Sequence, residues 1–337
     1  MTAPWEEQDD KNLTRLLKKA KRRTLLRNTI ISLVVTMVVL VGGVIGNAQL
    51  TGRAFNKAWN DEIIYQEISS PNKYYLGVVA RQGFLSGFME MTSYKIVGGV
   101  PIPWTTRETS YKALGFFSFA SIGGSAHGDS IPVSEPAMKQ EKYEYYRQYN
   151  GATGQRELAF YIPGVNYNGK VLNDLPELSR MEPEKLVEMA VSFDKKYSLE
   201  EVQSMLPKQI TPMWYWVDTY DNRTFFEPHE DGNGGISYAL PQSSSYIFGF
   251  GVRPPDYPEV KAQDFITSLE NGLAQKGRYQ WEYERIYNYL KKDKAAPDAG
   301  DVRLLGVVVT GTAQELQSLK GRSYVAAAVL GAVVDKY

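Results

Sequence analysis

The chain has 337 residues, with 38 Lys or Arg balanced by 38 Asp or Glu, so its net charge is zero and overall charge gives no argument for binding nucleic acid. It contains no cysteine, which excludes disulfides, thiolate-held zinc, iron–sulfur clusters, thiol nucleophiles and a lipidated N-terminal cysteine, and its two histidines, His127 and His229, are too few for a multi-histidine metal site. Hydrophobic residues make up 43%, including 23 Tyr, 13 Phe and 6 Trp, enough for a sizeable core without covalent cross-links.

Residues 1–28 open with Glu6, Glu7, Asp9 and Asp10 and then turn basic. Leu13, Leu16 and Leu17 recur at helical spacing in LTRLLKKAKRRTLLR, which predicts a short amphipathic helix leading into the next segment. The charges of this tail are explained by contact with anionic lipid alone; its leucine-bearing turns also suit a protein partner. From Asn28 to Gly52 there is no charged residue for 25 positions, and Thr29–Gly46 reads TIISLVVTMVVLVGGVIG. A transmembrane helix needs about 20 mainly apolar residues to cross about 30 Å of hydrocarbon, and a helix is the only single-span solution in lipid. A buried core helix would show a polar face, and this run has none. A cleaved signal could use the small residues Gly46 and Ala48, but the apolar stretch exceeds the usual core of about 7–15 residues.

Lys18, Lys19, Lys21, Arg22, Arg23 and Arg27 precede the run, whereas Arg53 and Lys57 are followed by Asp61 and Glu62. Short basic flanks stay in the cytoplasm. The sequence therefore predicts a cytoplasmic tail over 1–28, a span over 29–50 and an extracytoplasmic remainder, a single-pass protein of the cell membrane.

Beyond the span the pattern is mixed, α+β. Phe55–Ser69 reads as helix, broken by Ser70-Pro71-Asn72, and Tyr74–Ala80 as strand. Gly83, Gly87, Gly98 and Gly99 punctuate a stretch ending in Val100-Pro101-Ile102-Pro103-Trp104, which predicts turns and edge segments. The period of Gly115–His127 is ambiguous. Lys139–Gln148, with Tyr143 and Tyr146 and then Tyr149 three apart, reads as a helix face, and Glu157–Ile162 as a strand. Pro163–Pro183, rich in Asn, Gly and Pro, is the best subdomain boundary, giving 51–177 and 178–337.

Pro183–Val191 reads as a helix with proline at an early position, and Ser198–Leu206 as a second helix with Ser198 and Glu201 spaced as a capping box. Met213–Tyr220 and Ser245–Val252 read as strands, the latter closed by Arg253-Pro254-Pro255. Ala262–Ala274 and Gln280–Lys292 read as helices. Leu304–Thr310, Thr312–Leu319 and Tyr324–Val334 read as strand, helix and parallel returning strand, with Thr312 and Glu315 as a second capping box.

No persuasive active site emerges. Ala126-His127-Gly128-Asp129-Ser130 gathers His, Asp and Ser on one loop, but triad members usually come from separate elements. Asp231 and Asn233, beside His229, faintly resemble a calcium loop, whose twelfth position here is Gln242 rather than the required Glu. Phosphate-binding glycine motifs are absent. Trp214 and Trp216 share a strand face and read as core before sugar platform. No enzyme activity, cofactor or metal is expected.

Several motifs together resemble a known family. They are Gly83-Phe84-Leu85-Ser86-Gly87, Tyr94-Lys95, Gly99-Val100-Pro101-Ile102-Pro103-Trp104, Ala190-Val191-Ser192-Phe193-Asp194-Lys195, Met213-Trp214-Tyr215-Trp216-Val217-Asp218-Thr219-Tyr220 and Gly306-Val307-Val308-Val309-Thr310-Gly311-Thr312. Over about 10–105 and 180–335 the chain resembles the sigma factor regulators of Gram-positive bacteria. That resemblance implies a membrane anti-sigma factor restraining an extracytoplasmic-function sigma factor of envelope stress, with no catalytic residues to carry over. It implies a sigma factor as partner of the tail, with Leu13, Leu16 and Leu17 as candidate contacts. Many anti-sigma factors use a larger cytoplasmic helical domain, some with a His–Cys zinc site. Here the short tail binds alone, a second membrane regulator helps, or regulation proceeds without touching sigma. The competing expectations are an envelope binding or assembly module with no transcriptional role, and a membrane-anchored hydrolase using acidic residues.

Overall fold

A computed structural model describes residues 4–114, 130–139, 145–232, 234–252 and 259–336. The fold is α+β. A single helix, α1 (Pro4–Ser69), fuses the tail, the apolar run and the Phe55–Ser69 segment into one element of 66 residues, about 100 Å long at 1.5 Å per residue. Among the described residues it is the one helix long and apolar enough to cross a membrane. It stops at Ser69 because Pro71 has no N–H to continue the ladder and Asn72 adopts a left-handed φ of 47°.

Strands β1 (Tyr74–Gln82), β2 (Ser86–Val97) and β3 (Val100–Lys112) form an antiparallel sheet in that order. The expectation of turns and edge segments between Gly83 and Trp104 is corrected: the glycines sit at the ends of two long strands. Gly98 and Gly99, at φ 56° and 87°, make the tight β2–β3 turn that few other residues could adopt. Side chains of β2 alternate in burial, and Met89 and Met91 pack with Tyr111 against Ala58 of α1.

β4 (Ser130–Ser134) pairs with β5 (Tyr146–Asn150). The helix expected across Lys139–Gln148 is thus overturned at its C-terminal end, where Arg147 and Asn150 turn inward to polar partners instead of an apolar stripe facing a neighbour. Tyr143 and the whole of Gly115–His127 lie outside the described residues. Of the strand expected over Glu157–Ile162 only β6 (Ala159–Phe160) is regular.

The rest is organised by a five-stranded sheet. Its elements are β7 (Leu186–Tyr197), α2 (Leu199–Met205), β8 (Thr211–Val217), the short β9 (His229–Glu230), β10 (Ile236–Ser237) and β11 (Gln242–Ser243), then β12 (Phe248–Gly251), α3 (Ala262–Gln275), α4 (Gln280–Lys291), β13 (Leu304–Thr312), α5 (Ala313–Leu316) and β14 (Val325–Val334). The sheet order is β12-β8-β13-β7-β14, every neighbour antiparallel. β13 and β14 run the same way, as expected from sequence, but β7 lies between them. The helix expected over Pro183–Val191 is a correction: Leu186–Phe193 is a strand buried on both faces, so the polar–apolar alternation that marks a half-exposed strand never appears. Both capping boxes form, Ser198 with Glu201 and Thr312 with Glu315.

One face of the sheet (Val187, Met189, Val191, Tyr215, Val307, Val309) packs against Phe265, Ile266, Leu269 and Ile286 of α3 and α4, and Ile68 of α1 lies in the same cluster. The other face carries Trp214, Trp216 and Val308 against Leu158, Phe160 and Ile162, so both tryptophans serve the core. Residues 163–183 contribute buried Leu172, Leu175 and Leu178, and Asp174 N–H donates to Ala328 O at 2.7 Å, which covers the β14 edge.

β12 lies so close to β8 that a Cβ at Gly249 would fall 1.9 Å from Tyr215 O. Gly249→Ala is expected to lower unfolding stability by about 1–3 kcal/mol, as overpacking does. Denaturant unfolding followed by tryptophan fluorescence measures this; an unchanged midpoint would contradict the β8–β12 packing.

Candidate functional site

The last turns of α1 carry acids where an amphipathic helix would place a second apolar row, and these acids are buried. Asp61 is 8% and Glu62 1% exposed. Their partners come from the α3–α4 turn. Arg278 N–H donates to Asp61 Oδ2 at 3.0 Å, its guanidinium donates to Glu62 Oε1 at 3.1 Å, and Tyr279 Oη donates to the same oxygen at 2.6 Å. Arg278 also donates to Thr109 Oγ1 and to Ser110 O of β3. Arg107 of β3 faces the other Glu62 oxygen at 3.7 Å, an ionic contact beyond hydrogen-bond reach. Gly277 is required here because a Cβ would lie 1.9 Å from Asp61 Oδ1. One arginine thus ties α1, β3 and the α3–α4 turn together, and Tyr65 stacks on Tyr279 with ring centres 3.7 Å apart.

A second junction lies just past the helix. Asn72 donates to Ile96 O at 2.9 Å and to Glu188 Oε1 at 2.8 Å. Lys95 of β2 donates to Glu188 Oε2 at 2.8 Å, with its ammonium 4.0 Å from the centre of the Trp104 ring. Lys95 and Glu188 are 2% and 0% exposed. Ala332 N–H adds a 3.3 Å bond to the same carboxylate. An ion pair with this many partners offsets part of the cost of removing both charges from water, and it joins β2 to β7 of the large sheet.

Between these junctions opens a cavity of about 710 Å³, walled by Tyr75, Trp104, Arg107, Tyr145, Arg147 and Tyr279 among others. Its cations are already matched: Arg147 makes a two-pronged bond to Asp174 at 2.8 and 3.0 Å and a further one to Glu135 at 3.0 Å. Burial pushes the phenols of Tyr65 and Tyr75 up to about 12; burial, followed by the Glu62 hydrogen bond and charge, also raises Tyr279. All three therefore remain neutral hydrogen-bond donors at ordinary pH. Such walls offer hydroxyls and ring faces. Among the described residues no group of three or more His, Asp or Glu is placed to hold a metal.

The residues singled out from sequence lie elsewhere. Leu13, Leu16 and Leu17 are 57%, 64% and 62% exposed on α1, and Lys18, Lys19, Lys21, Arg22, Arg23 and Arg27 are exposed along the same stretch. His229 is exposed on β9, paired with β10 across a turn closed by Gly235 N–H donating to Asp231 Oδ1 at 2.7 Å; His127 lies outside the described residues. The residues that sequence reading missed are Asp61, Glu62, Asn72, Lys95, Glu188 and Arg278. Lys95 could have been found: it falls in the inward phase of Met89, Met91, Ser93 and Val97.

Two family models match the chain. Sigma factor regulator N-terminal matches residues 14–102 and Sigma factor regulator C-terminal matches residues 178–332. The first spans most of α1, with β1, β2 and the start of β3, and the second nearly all of the five-stranded sheet and its helices. No curated protein and no solved structure matches it.

Lys95→Met is expected to cost about 3–5 kcal/mol of stability, because it strands a buried carboxylate. The double variant Lys95→Met/Glu188→Gln should lose less than the sum of the single variants; strict additivity in unfolding measurements would rule out the coupling. Arg278→Ala should cost about 1.5–3 kcal/mol, the range for hydrogen bonds to a charged group, and a near-neutral effect in the same assay would show that the turn does not grip the helix.

Proposed function

We propose, for a chain that belongs to the sigma factor regulator family, that it is a membrane-anchored negative regulator of an extracytoplasmic-function sigma factor. Family membership supports a role in sigma factor regulation and a sigma factor as partner. On this reading residues 29–50 span the cell membrane, the basic 1–28 tail lies in the cytoplasm, and the strand-rich region lies outside, where envelope stress is felt. The protein acts by binding and carries no catalytic step.

The observation that carries the proposal is the continuity of α1. One end presents Leu13, Leu16 and Leu17 as exposed apolar side chains on about one face of the helix, suited to a partner that takes an amphipathic helix in a groove. The other end has Ile68 in the core and Asp61 and Glu62 held by Arg278. A change outside reaches the tail only if the two states of the outer region hold α1 differently and the sigma factor prefers one of them. The tail is short, so a second membrane protein is a natural collaborator in holding sigma.

Deleting the gene, or replacing Leu16 and Leu17 by Glu in the full-length protein, should raise sigma-dependent transcription, and the double variant should retain less sigma factor in a membrane pull-down. If the regulon is unchanged in both strains under several envelope stresses, and the wild-type protein retains no sigma factor, the chain is an envelope binding or assembly module instead.

A further inference from the structure

The β1–β2 turn is attached to α1 at an unexpected height. Asn47 donates through Nδ2 to Gly83 O at 3.1 Å and accepts from Leu85 N–H at 2.7 Å through Oδ1. Centring a hydrocarbon layer of about 30 Å on the uncharged run between Arg27 and Arg53 places its middle near residue 40 and its outer edge near residue 50. Asn47 then lies at or just inside that edge, and the turn Gly83–Ser86 is fastened to it there.

The chemistry of the turn fits that depth. Backbone polar groups next to hydrocarbon need partners within the protein, and here they have them. Gly83 N–H donates to Ser86 O at 2.8 Å, Ser86 Oγ donates to Phe84 O at 3.2 Å, and Ala113 N–H donates to Leu85 O at 2.8 Å. With the two Asn47 bonds, the carbonyls of Gly83, Phe84, Leu85 and Ser86 are all engaged. Leu85 holds a left-handed φ of 52°, a conformation costly for a side-chain-bearing residue, and its N–H is one of the two groups bound to Asn47. Phe84 itself is 58% exposed on this turn. Arg53, Arg81 and Lys112 are exposed close by, with Lys112 opposite Ser86 in the strand register, at the level where lipid phosphates would lie. An aromatic tip with cations above it is the pattern of interfacial anchoring.

We propose that the β1–β2 turn is a second membrane contact, in which Phe84 inserts into the interface of the outer leaflet while Asn47 fixes the hairpin to the spanning helix. This rests on the spanning reading of α1. The hairpin sheet then touches lipid directly, so the surface state of the bilayer bears on the same sheet that holds Lys95 and the Glu62–Arg278 junction.

The cysteine-free chain permits a clean test. Full-length Phe84→Cys, Leu76→Cys and Val35→Cys variants, each nitroxide-labelled in nanodiscs of phosphatidylglycerol and phosphatidylcholine with one chain per disc, are compared by accessibility to oxygen and to a soluble nickel chelate. The expected oxygen-to-nickel ratio is highest at position 35, several-fold higher at 84 than at 76, and lowest at 76, whose wild-type leucine is 73% exposed higher on β1. A ratio at 84 equal to that at 76, with 35 still lipid-like, overturns the proposal and leaves the span standing. Nickel access at 35 as well removes both. Shielding at 84 from oxygen and nickel alike would mean that protein covers the turn, and would also overturn it.

Discussion

Ile68 is fully buried in the cluster that holds Phe265 and Leu269, yet it belongs to the same unbroken helix as Leu33 and Val39, whose side chains are exposed along an apolar run. On the proposed spanning reading one element answers to two solvents: its apolar middle meets lipid, and its final turns are part of a core formed in water. The hairpin sheet lies along its side, the α3–α4 turn grips its acids, and the chain just beyond it hooks the large sheet through Asn72. The strand-rich region cannot be lifted off α1 without unmaking part of its own interior.

The polar groups inside this assembly have a consistent logic. Lys95 with Glu188, Arg147 with Asp174, and Glu62 with Arg278 are each paired across segments distant in sequence. Such pairs add little net stability compared with well-packed apolar residues, but a single member left alone is expensive. A misdocked hairpin or a shifted helix would leave several charges without partners at once. The interior is therefore better suited to enforcing one arrangement than to maximising stability.

Much of the architecture was legible in the sequence because its signals are local. The uncharged run, both capping boxes, the helices at Ala262–Gln275 and Gln280–Lys291, and the strands β1, β8, β13 and β14 each announce themselves within a dozen residues. The misreadings share a cause. Leu186, Met189, Ala190 and Phe193 fall three or four apart by coincidence inside a strand covered on both faces, and Tyr146 and Tyr149 do so in a strand whose buried side chains are polar. The glycines between Gly83 and Gly99 looked like loop punctuation because they mark the ends of long strands. The junction residues were hidden for a different reason: Glu62 meets Arg278, and Lys95 meets Glu188, only after folding brings together segments about a hundred or two hundred positions apart, and no local pattern encodes that meeting.

The unbroken course of α1 also sets an angular rule. Each residue turns a helix by about 100°, so the direction in which Leu13, Leu16 and Leu17 point is locked to the direction in which Asp61 and Glu62 are gripped. Removing one residue from the intervening run would swing the tail's leucines about a quarter of the way round the axis while drawing them up by only about 1.5 Å. A change of seven would nearly restore the heading, leaving an offset of about 20°. The length of the helix between the tail's leucines and the sheet is thereby constrained in phase as well as in extent, and relatives that differ there would be expected to differ by numbers of residues close to whole turns, about seven, eleven or eighteen.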